Sequence, residues 1–198
     1  MSSWRRSQET RFRSRFGDFR LRAYEFPDGR EHCVIIGGDA PSGEAPLVRV
    51  QSSCLTGTAF GALLCDCRPQ LEESLRRIAA EGAGYVLYLA QEGRGYGLVD
   101  KVAQLDLITQ GLATTATAAG EGQRPDLRDY DVAFDILASL VGQGAALRLL
   151  TNNPAKIEAF TGAGFVVQRI PLEIEPDDEN RDYLLVKKRD MGHLLTLV

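Results

Sequence analysis

Three of the four cysteines, Cys54, Cys65 and Cys67, fall inside one stretch, QSSCLTGTAFGALLCDCRPQ. On a strand or tight turn, side chains two apart share a face, which lets Cys65 and Cys67 chelate together. Three thiolates on Zn2+ would leave the fourth tetrahedral position to water, the pattern of a catalytic rather than a structural zinc. The same residues also read as small buried hydrophobes, and C-x-C spacing alone does not decide between the two. Cys33 opens the apolar run CVII and reads as core. His32, beside a strand, and His193, after a glycine, are the only histidines and read as surface or capping residues.

Three polar segments follow apolar runs, where α/β folds place their ligands. QEGRGYG offers Glu92 and Arg94 among Gly93, Gly95 and Gly97. Such glycines let backbone amides approach a ligand closely, and a guanidinium suits phosphate or carboxylate. The spacing matches neither the dinucleotide fingerprint nor the P-loop. TNNPAK sets Thr151, Asn152 and Asn153 ahead of a helix with Lys156 one turn in. That is an anion site on one reading and helix capping, the simpler one, on the other. RPDLRDYD carries Asp126 and Arg128 in a charged loop that by itself reads as a solvated turn.

The elements needed to position these groups are visible in the hydrophobic pattern. FRLRAY alternates apolar and basic positions as a half-buried strand does, with turns expected at Gly17-Asp18 and Asp28-Gly29. The seven arginines before residue 23 read as a solvated strand face. CVIIGGD and PLVRVQSS are further strands. PQLEESLRRIAAEG places Leu71, Leu75, Ile78 and Ala79 on one helical face, with Pro69 in the first turn and Gly82 at the exit. GYVLYLA reads as a strand buried on both faces. A helix is expected from Leu98 to Gln110, where Leu98, Val102, Leu105 and Ile108 fall at helical spacing and mark Leu105 as core. DVAFDILASLV and AKIEAFTGAG read as helices, LRLL and GFVVQRI as strands, and PDDENRDYLLVKKRDMGHLL as an acidic loop and a terminal helix. Alternating strand and helix from residue 69 to 170 predicts an α/β fold: a mixed sheet with crossover helices and N-terminal antiparallel strands. We read residues 1–198 as one domain.

The composition of the 198 residues, 44% apolar and 25% charged, excludes gross disorder. No run approaches the roughly 20 apolar residues of a membrane helix, and the arginines at the N-terminus lack the apolar core of a secretory signal. A net charge of −4 argues against nucleic acid as a partner. The cysteine usage fits a reducing, cytoplasmic setting.

Taken in order, CLTG followed by CDC, QEGR-x-x-GL, the D-x-R-D of Asp126 to Asp129, LLTNNP-x-K and the terminal MGHLL resemble GTP cyclohydrolase II, the zinc enzyme family that opens the purine ring at the start of riboflavin synthesis. The resemblance runs from about Arg49 to the C-terminus, and more faintly back to Gly17-Asp18. It implies a GTP cyclohydrolase II-like fold and one Zn2+ per chain on Cys54, Cys65 and Cys67. It implies a nucleoside triphosphate substrate held by Arg49, Val50, Gln51, Ser52, Ser53, Gln70, Glu92, Gly93, Arg94, Thr114, Thr151 and Lys156, with Mg2+ on the triphosphate. Asp126 matches the position assigned as proton acceptor. Arg128 matches the one assigned as nucleophile toward the α-phosphorus, although a guanidinium with a pKa above about 12 is an unusual attacking group. Electrostatic stabilisation by Arg128 is the competing account. A homodimer is a further implication.

The departures concern the surroundings of the base. Leu105 stands where the family has a tyrosine associated with the later hydrolytic step. QSSC replaces H-S-E-C, Arg68 replaces a glycine, Leu89 stands in for a histidine, and Thr117 with its neighbours replaces E-A-N. These changes imply a specialised paralogue. Three functions follow: a GTP cyclohydrolase that stalls at the formamidopyrimidine nucleotide, a cyclohydrolase of another base such as the uracil ring of UTP, and a non-catalytic nucleotide-binding subunit.

Overall fold

A computed structural model of the protein describes residues 4–39, 44–111 and 126–198. Among the described residues the strands are β1 (Arg5–Arg6), β2 (Thr10–Ser14), β3 (Gly17–Glu25), β4 (Glu31–Gly37), β5 (Leu47–Ser52), β6 (Gly84–Leu89), β7 (Ala146–Leu150) and β8 (Val166–Ile170). They form one mixed sheet in the order β1-β3-β4-β6-β5-β7-β8, with β2 also paired to β3. The N-terminal strands are antiparallel, as the alternating pattern predicts, whereas β6, β5, β7 and β8 run parallel. The first hairpin turns two residues earlier than expected. Ser14 pairs with Gly17, so Gly17 and Asp18 belong to β3 and the turn is Arg15–Phe16. Five of the N-terminal arginines are ion-paired: Arg5 with Glu25, Arg13 with Asp18, Arg15 with Glu72, and Arg20 and Arg22 with Glu9.

The helices are α1 (Leu55–Thr58), α2 (Cys67–Glu81), α3 (Leu98–Thr109), α4 (Asp131–Val141), α5 (Pro154–Gly162) and α6 (Arg181–Met191). One sheet face packs Phe19, Leu47, Val86 and Leu150 against Leu75 and Ile78 of α2. The opposite face packs Val48, Val50, Leu87 and Leu149 against Ile136 and Leu137 of α4 and Phe160 of α5. The reading of GYVLYLA as a strand buried on both faces is therefore correct: Tyr85, Leu87 and Leu89 enter one core and Val86 the other. Helix α2 starts at Cys67, two residues before the expected Pro69, and ends at Gly82, whose φ of 72° closes the helix in the left-handed conformation.

The chain passes from β5 to β6 on one side and then crosses to β7 on the other side of β5. Such a reversal leaves a crevice at the carboxyl ends of the strands, because the connections leave in opposite directions. Here the three segments that leave β5, β6 and β7 are QSSC, QEGR and TNNP. Helix α3 differs from its expected role. It buries none of its described side chains, and Leu98 and Val102 are 41% and 54% exposed. Leu105 is half-buried and lines the crevice instead of a core, because the apolar spacing of α3 serves the wall of a cleft.

Candidate active site

The sulfur atoms of Cys54, Cys65 and Cys67 lie within 4.8 Å of one another. Their positions follow from local structure: Cys54 caps α1, and Cys67 is the first residue of α2 after the turn through Cys65 and Asp66. Gly57 makes the cluster possible. A Cβ there would stand 2.7 Å from the Cys65 sulfur and 3.0 Å from that of Cys54. Hydrogen bonds from the Cys65 and Cys67 thiols, with a further one from Lys101, hold the Cys54 thiol far below its usual range despite burial. Cys65 and Cys67 are raised, first by the hydrogen bond each gives to Cys54. Three converging sulfurs, one with its thiol pKa lowered, fit a tetrahedral Zn2+ with one open position.

Buried cations line the same cleft. Arg49 and Gln51 share the β5 face opposite Val48 and Val50, and Arg49 donates to Gln51 Oε1 at 2.7 Å and Gln70 Oε1 at 2.6 Å. Burial lowers the Arg49 pKa to about 10. Lys156, 5% exposed, donates to the Val50 carbonyl at 2.7 Å. Burial, then the charges of Arg49 and Arg128, push it well below the ordinary lysine value. Burial opposes the charge on Arg128, but hydrogen bonds to Asp126 overcome it and the pKa is raised. From the C-terminal helix, Lys187 reaches Asp66 Oδ1 at 3.2 Å. Such a concentration of buried positive charge has its natural counterpart in a polyanion.

Three buried polar atoms at this cleft, Ser52 Oγ, Gln91 Oε1 and His193 Nδ1, have no hydrogen-bond partner among the described residues. Buried polar groups are ordinarily satisfied, so these atoms are positioned for a ligand. Arg94 is, among the described residues, the one non-glycine residue with positive φ, 59°. Strain of about 1–3 kcal/mol in the QEGR turn fits a functional rather than a packing role.

The family model for GTP cyclohydrolase II matches residues 5–171. The chain belongs to the GTP cyclohydrolase II family. The match begins well before Arg49 and takes in the N-terminal strands. The chain is 46% identical over 183 residues to riboflavin biosynthesis protein RibBA of Bacillus subtilis (strain 168), covering 91% of this chain and 46% of that protein. It is 42% identical over 193 residues to the RibBA protein of Chlorobium phaeovibrioides, covering 96% and 47%. The chain thus spans about half the length of the curated relatives it matches. A solved two-domain 3,4-dihydroxy-2-butanone 4-phosphate synthase, RibBX of A. baumannii, superposes with a TM-score of 0.47 at 18% identity, over 86% of this chain and 40% of that one.

The cleft of this GTP cyclohydrolase II family member brings together most of the residues that the resemblance points to. Arg49, Gln51, Ser52, Ser53, Gln70, Glu92, Gly93, Arg94, Arg128, Thr151 and Lys156 all line it, with Cys54 and Cys67. Asp126 reaches it through Arg128. The Val50 side chain is 1% exposed in the core, and only its carbonyl serves the site, holding Lys156. Both Glu92 carboxylate oxygens are engaged by protein groups, Lys101 Nζ and the Leu55 amide. Asn153 caps α5 by accepting from the Ala155 amide at 3.0 Å, so the capping reading of TNNP holds for it. Thr114 and Thr117 lie outside the described residues. The two histidines differ from expectation. His32 is 2% exposed and accepts from the Ala90 amide at 3.0 Å, because it faces inward beside Phe26. His193 lines the cleft because the terminal segment folds back, the Leu194 amide donating to the Asn152 carbonyl at 2.8 Å. Sequence reasoning also passed over Gln91, Lys101 and Lys187, which need tertiary contacts to be recognised.

Proposed function

We propose that this chain is a zinc-dependent nucleotide cyclohydrolase that opens the base ring of a nucleoside triphosphate, GTP first, with release of pyrophosphate. The carrying observation is one cleft that joins three clustered thiols to a set of buried cations. Its family and the name of its relatives, riboflavin biosynthesis proteins, favour a riboflavin-type pathway.

Cys54, Cys65 and Cys67 would hold the metal, and their donor set and the close fit of Gly57 beneath them suit it. When bound, Zn2+ lowers the pKa of coordinated water to about 7 and so supplies hydroxide at neutral pH. The chain's own residues do the rest. Gln91 Oε1 and Ser52 Oγ offer hydrogen bonds to substrate, and Arg128 stabilises negative charge on a phosphoryl group, with Mg2+ accompanying the triphosphate. Leu105 lines the cleft with no group able to move a proton, which favours arrest at the formamidopyrimidine nucleotide.

We further propose a single cytoplasmic domain that acts as a homodimer. Among the described residues no helix is long and apolar enough to cross a membrane. Phe60, Leu63 and Val99, 75%, 62% and 85% exposed, offer apolar surface for a second copy.

Mass spectrometry of products from a nucleoside triphosphate panel, with zinc content measured alongside, tests the reading. A ring-opened product from GTP and pyrophosphate are expected. Product from UTP alone would move the substrate to a pyrimidine. Binding without turnover at every zinc loading would leave a non-catalytic subunit.

A further inference from the structure

Glu92 occupies a nucleotide-binding position by resemblance, yet its carboxylate is spent on the protein. Oε1 accepts from Lys101 Nζ at 2.7 Å and Oε2 from the Leu55 amide at 2.8 Å. Lys101 in turn donates to Cys54 Sγ at 3.1 Å. Both side chains are withdrawn from solvent, 14% exposed for Lys101 and 16% for Glu92. We propose that Glu92 and Lys101 are a positioning pair for the thiol cluster: Lys101 directs an N–H···S hydrogen bond at Cys54, and Glu92 fixes both that lysine and the peptide that follows Cys54.

The local sequence builds this contact. Gly93 sits at φ 59°, and a Cβ there would stand 3.0 Å from the Lys101 Cβ, so a larger residue would press α3 away from the QEGR turn. The Gly97 amide closes the turn onto the Glu92 carbonyl at 3.0 Å, and α3 begins at once, which places Lys101 one turn in. A charged hydrogen bond to a ligand sulfur has a clear chemical purpose. Three thiolates outweigh the charge of a divalent ion, and their electron donation weakens it as a Lewis acid. An ammonium hydrogen bond draws density from one sulfur and orients its lone pairs. Glu92 keeps the lysine from swinging into the cleft toward substrate phosphates.

The proposal rests on the metal reading of the three cysteines, and Co2+-loaded full-length protein separates the two. A thiolate-to-cobalt charge-transfer band in the wild type supports the metal site; its absence sinks that site and the pair with it. With the band present, Lys101→Met is expected to move it to lower energy, because the sulfur loses its hydrogen bond. Lys101→Arg, which keeps a donor, is expected to return it toward the wild-type position. Glu92→Gln, folded as judged by circular dichroism, is expected to shift it in the same direction but less. With zinc, Lys101→Met is expected to lower kcat about 10- to 100-fold at unchanged nucleotide KM. A band that neither variant moves, or a loss confined to KM, overturns the pair and returns both residues to nucleotide binding.

Discussion

Asp126 grips Arg128 through two hydrogen bonds from one guanidinium nitrogen, Nε to Oδ1 at 2.9 Å and to Oδ2 at 3.1 Å, and Nη2 contacts Oδ2 as well. Asp126 also accepts from the Arg128 amide at 3.0 Å. Burial would raise the Asp126 pKa, but the guanidinium overcomes it and holds the carboxyl below its usual range. The same pairing holds Arg128 cationic. A carboxylate with a lowered pKa is a poor base, and a guanidinium that has gained a partner is a poor nucleophile. The geometry therefore favours Arg128 as a fixed positive charge for the leaving or transferring phosphoryl group. Arg128→Ala should reduce pyrophosphate release by about 10²–10³-fold, as loss of one oxyanion donor does. Arg128→Lys should recover part of it. Intact-protein mass spectrometry during turnover should find no nucleotidyl adduct; an adduct on Arg128 would establish attack instead.

Gly57 has no side chain because the sulfurs of Cys65 and Cys54 and the Cβ of Cys67 occupy the space beside it. A methyl group 2.7 Å from the Cys65 sulfur must displace that sulfur or the short helix α1. Gly57→Ala should purify with a small fraction of the wild-type zinc content while α2, anchored by Leu75 and Ile78, keeps the fold intact. Elemental analysis and circular dichroism read the two effects separately. Full zinc occupancy in the variant would show that the cluster tolerates a larger floor than the structure indicates.

The scaffold was largely legible in the sequence because its signals are local. The Leu71-Leu75-Ile78 stripe and Gly82 define α2, and GYVLYL can scarcely be anything but a central strand. The thiol cluster was half legible: cysteine spacing raised it, but only the turn before α2 brings Cys65 and Cys67 to Cys54. Lys101 was invisible, since a lysine inside LVDKVAQLDLI reads as a solvated position between apolar ones. Leu105 misled for the converse reason, because an apolar stripe looks the same whether it meets a core or a cleft. His193 depends on residues 192–198 folding back onto the TNNP segment, a contact between distant parts of the chain that no periodicity encodes.

Leu105 gives the most direct handle on the reaction's end point. Its side chain lines the cleft that holds Cys54, Arg94 and Arg128. The position is half-buried, so a phenol has room to reach the cleft without entering a core. Wild-type protein supplied with zinc and GTP is expected to yield the formamidopyrimidine nucleotide with little formate. Leu105→Tyr is expected to raise formate toward one equivalent per ring opened. Stoichiometric formate from the wild type would refute the arrest.

His193 ties stability to pH. Burial, with Lys187 as the next contributor and Arg128 and Lys156 behind it, lowers its pKa to about 4. The unfolded chain, with an ordinary histidine near 6.5, then binds more protons than the folded one at intermediate pH, so stability rises with pH across that window. Above about 6.5 both states are neutral and the folded protein carries no penalty. As pH falls from there toward 4 the unfolded state is increasingly favoured, by at most about 3 kcal/mol once both have protonated. His32, whose pKa burial also lowers, acts in the same direction. Urea denaturation at pH 7 and pH 4.5 should show this loss in the wild type and a smaller one in His193→Gln, the remainder belonging to His32 and the carboxylates. Pyrophosphate bound among Lys187, Arg128 and Lys156 should reverse the cations' effect on the imidazole and raise the His193 pKa. With only two histidines in the chain, an imidazole NMR titration with and without pyrophosphate reads that shift directly. Identical pH slopes for wild type and His193→Gln would show that the imidazole is already charged or solvated in the folded protein.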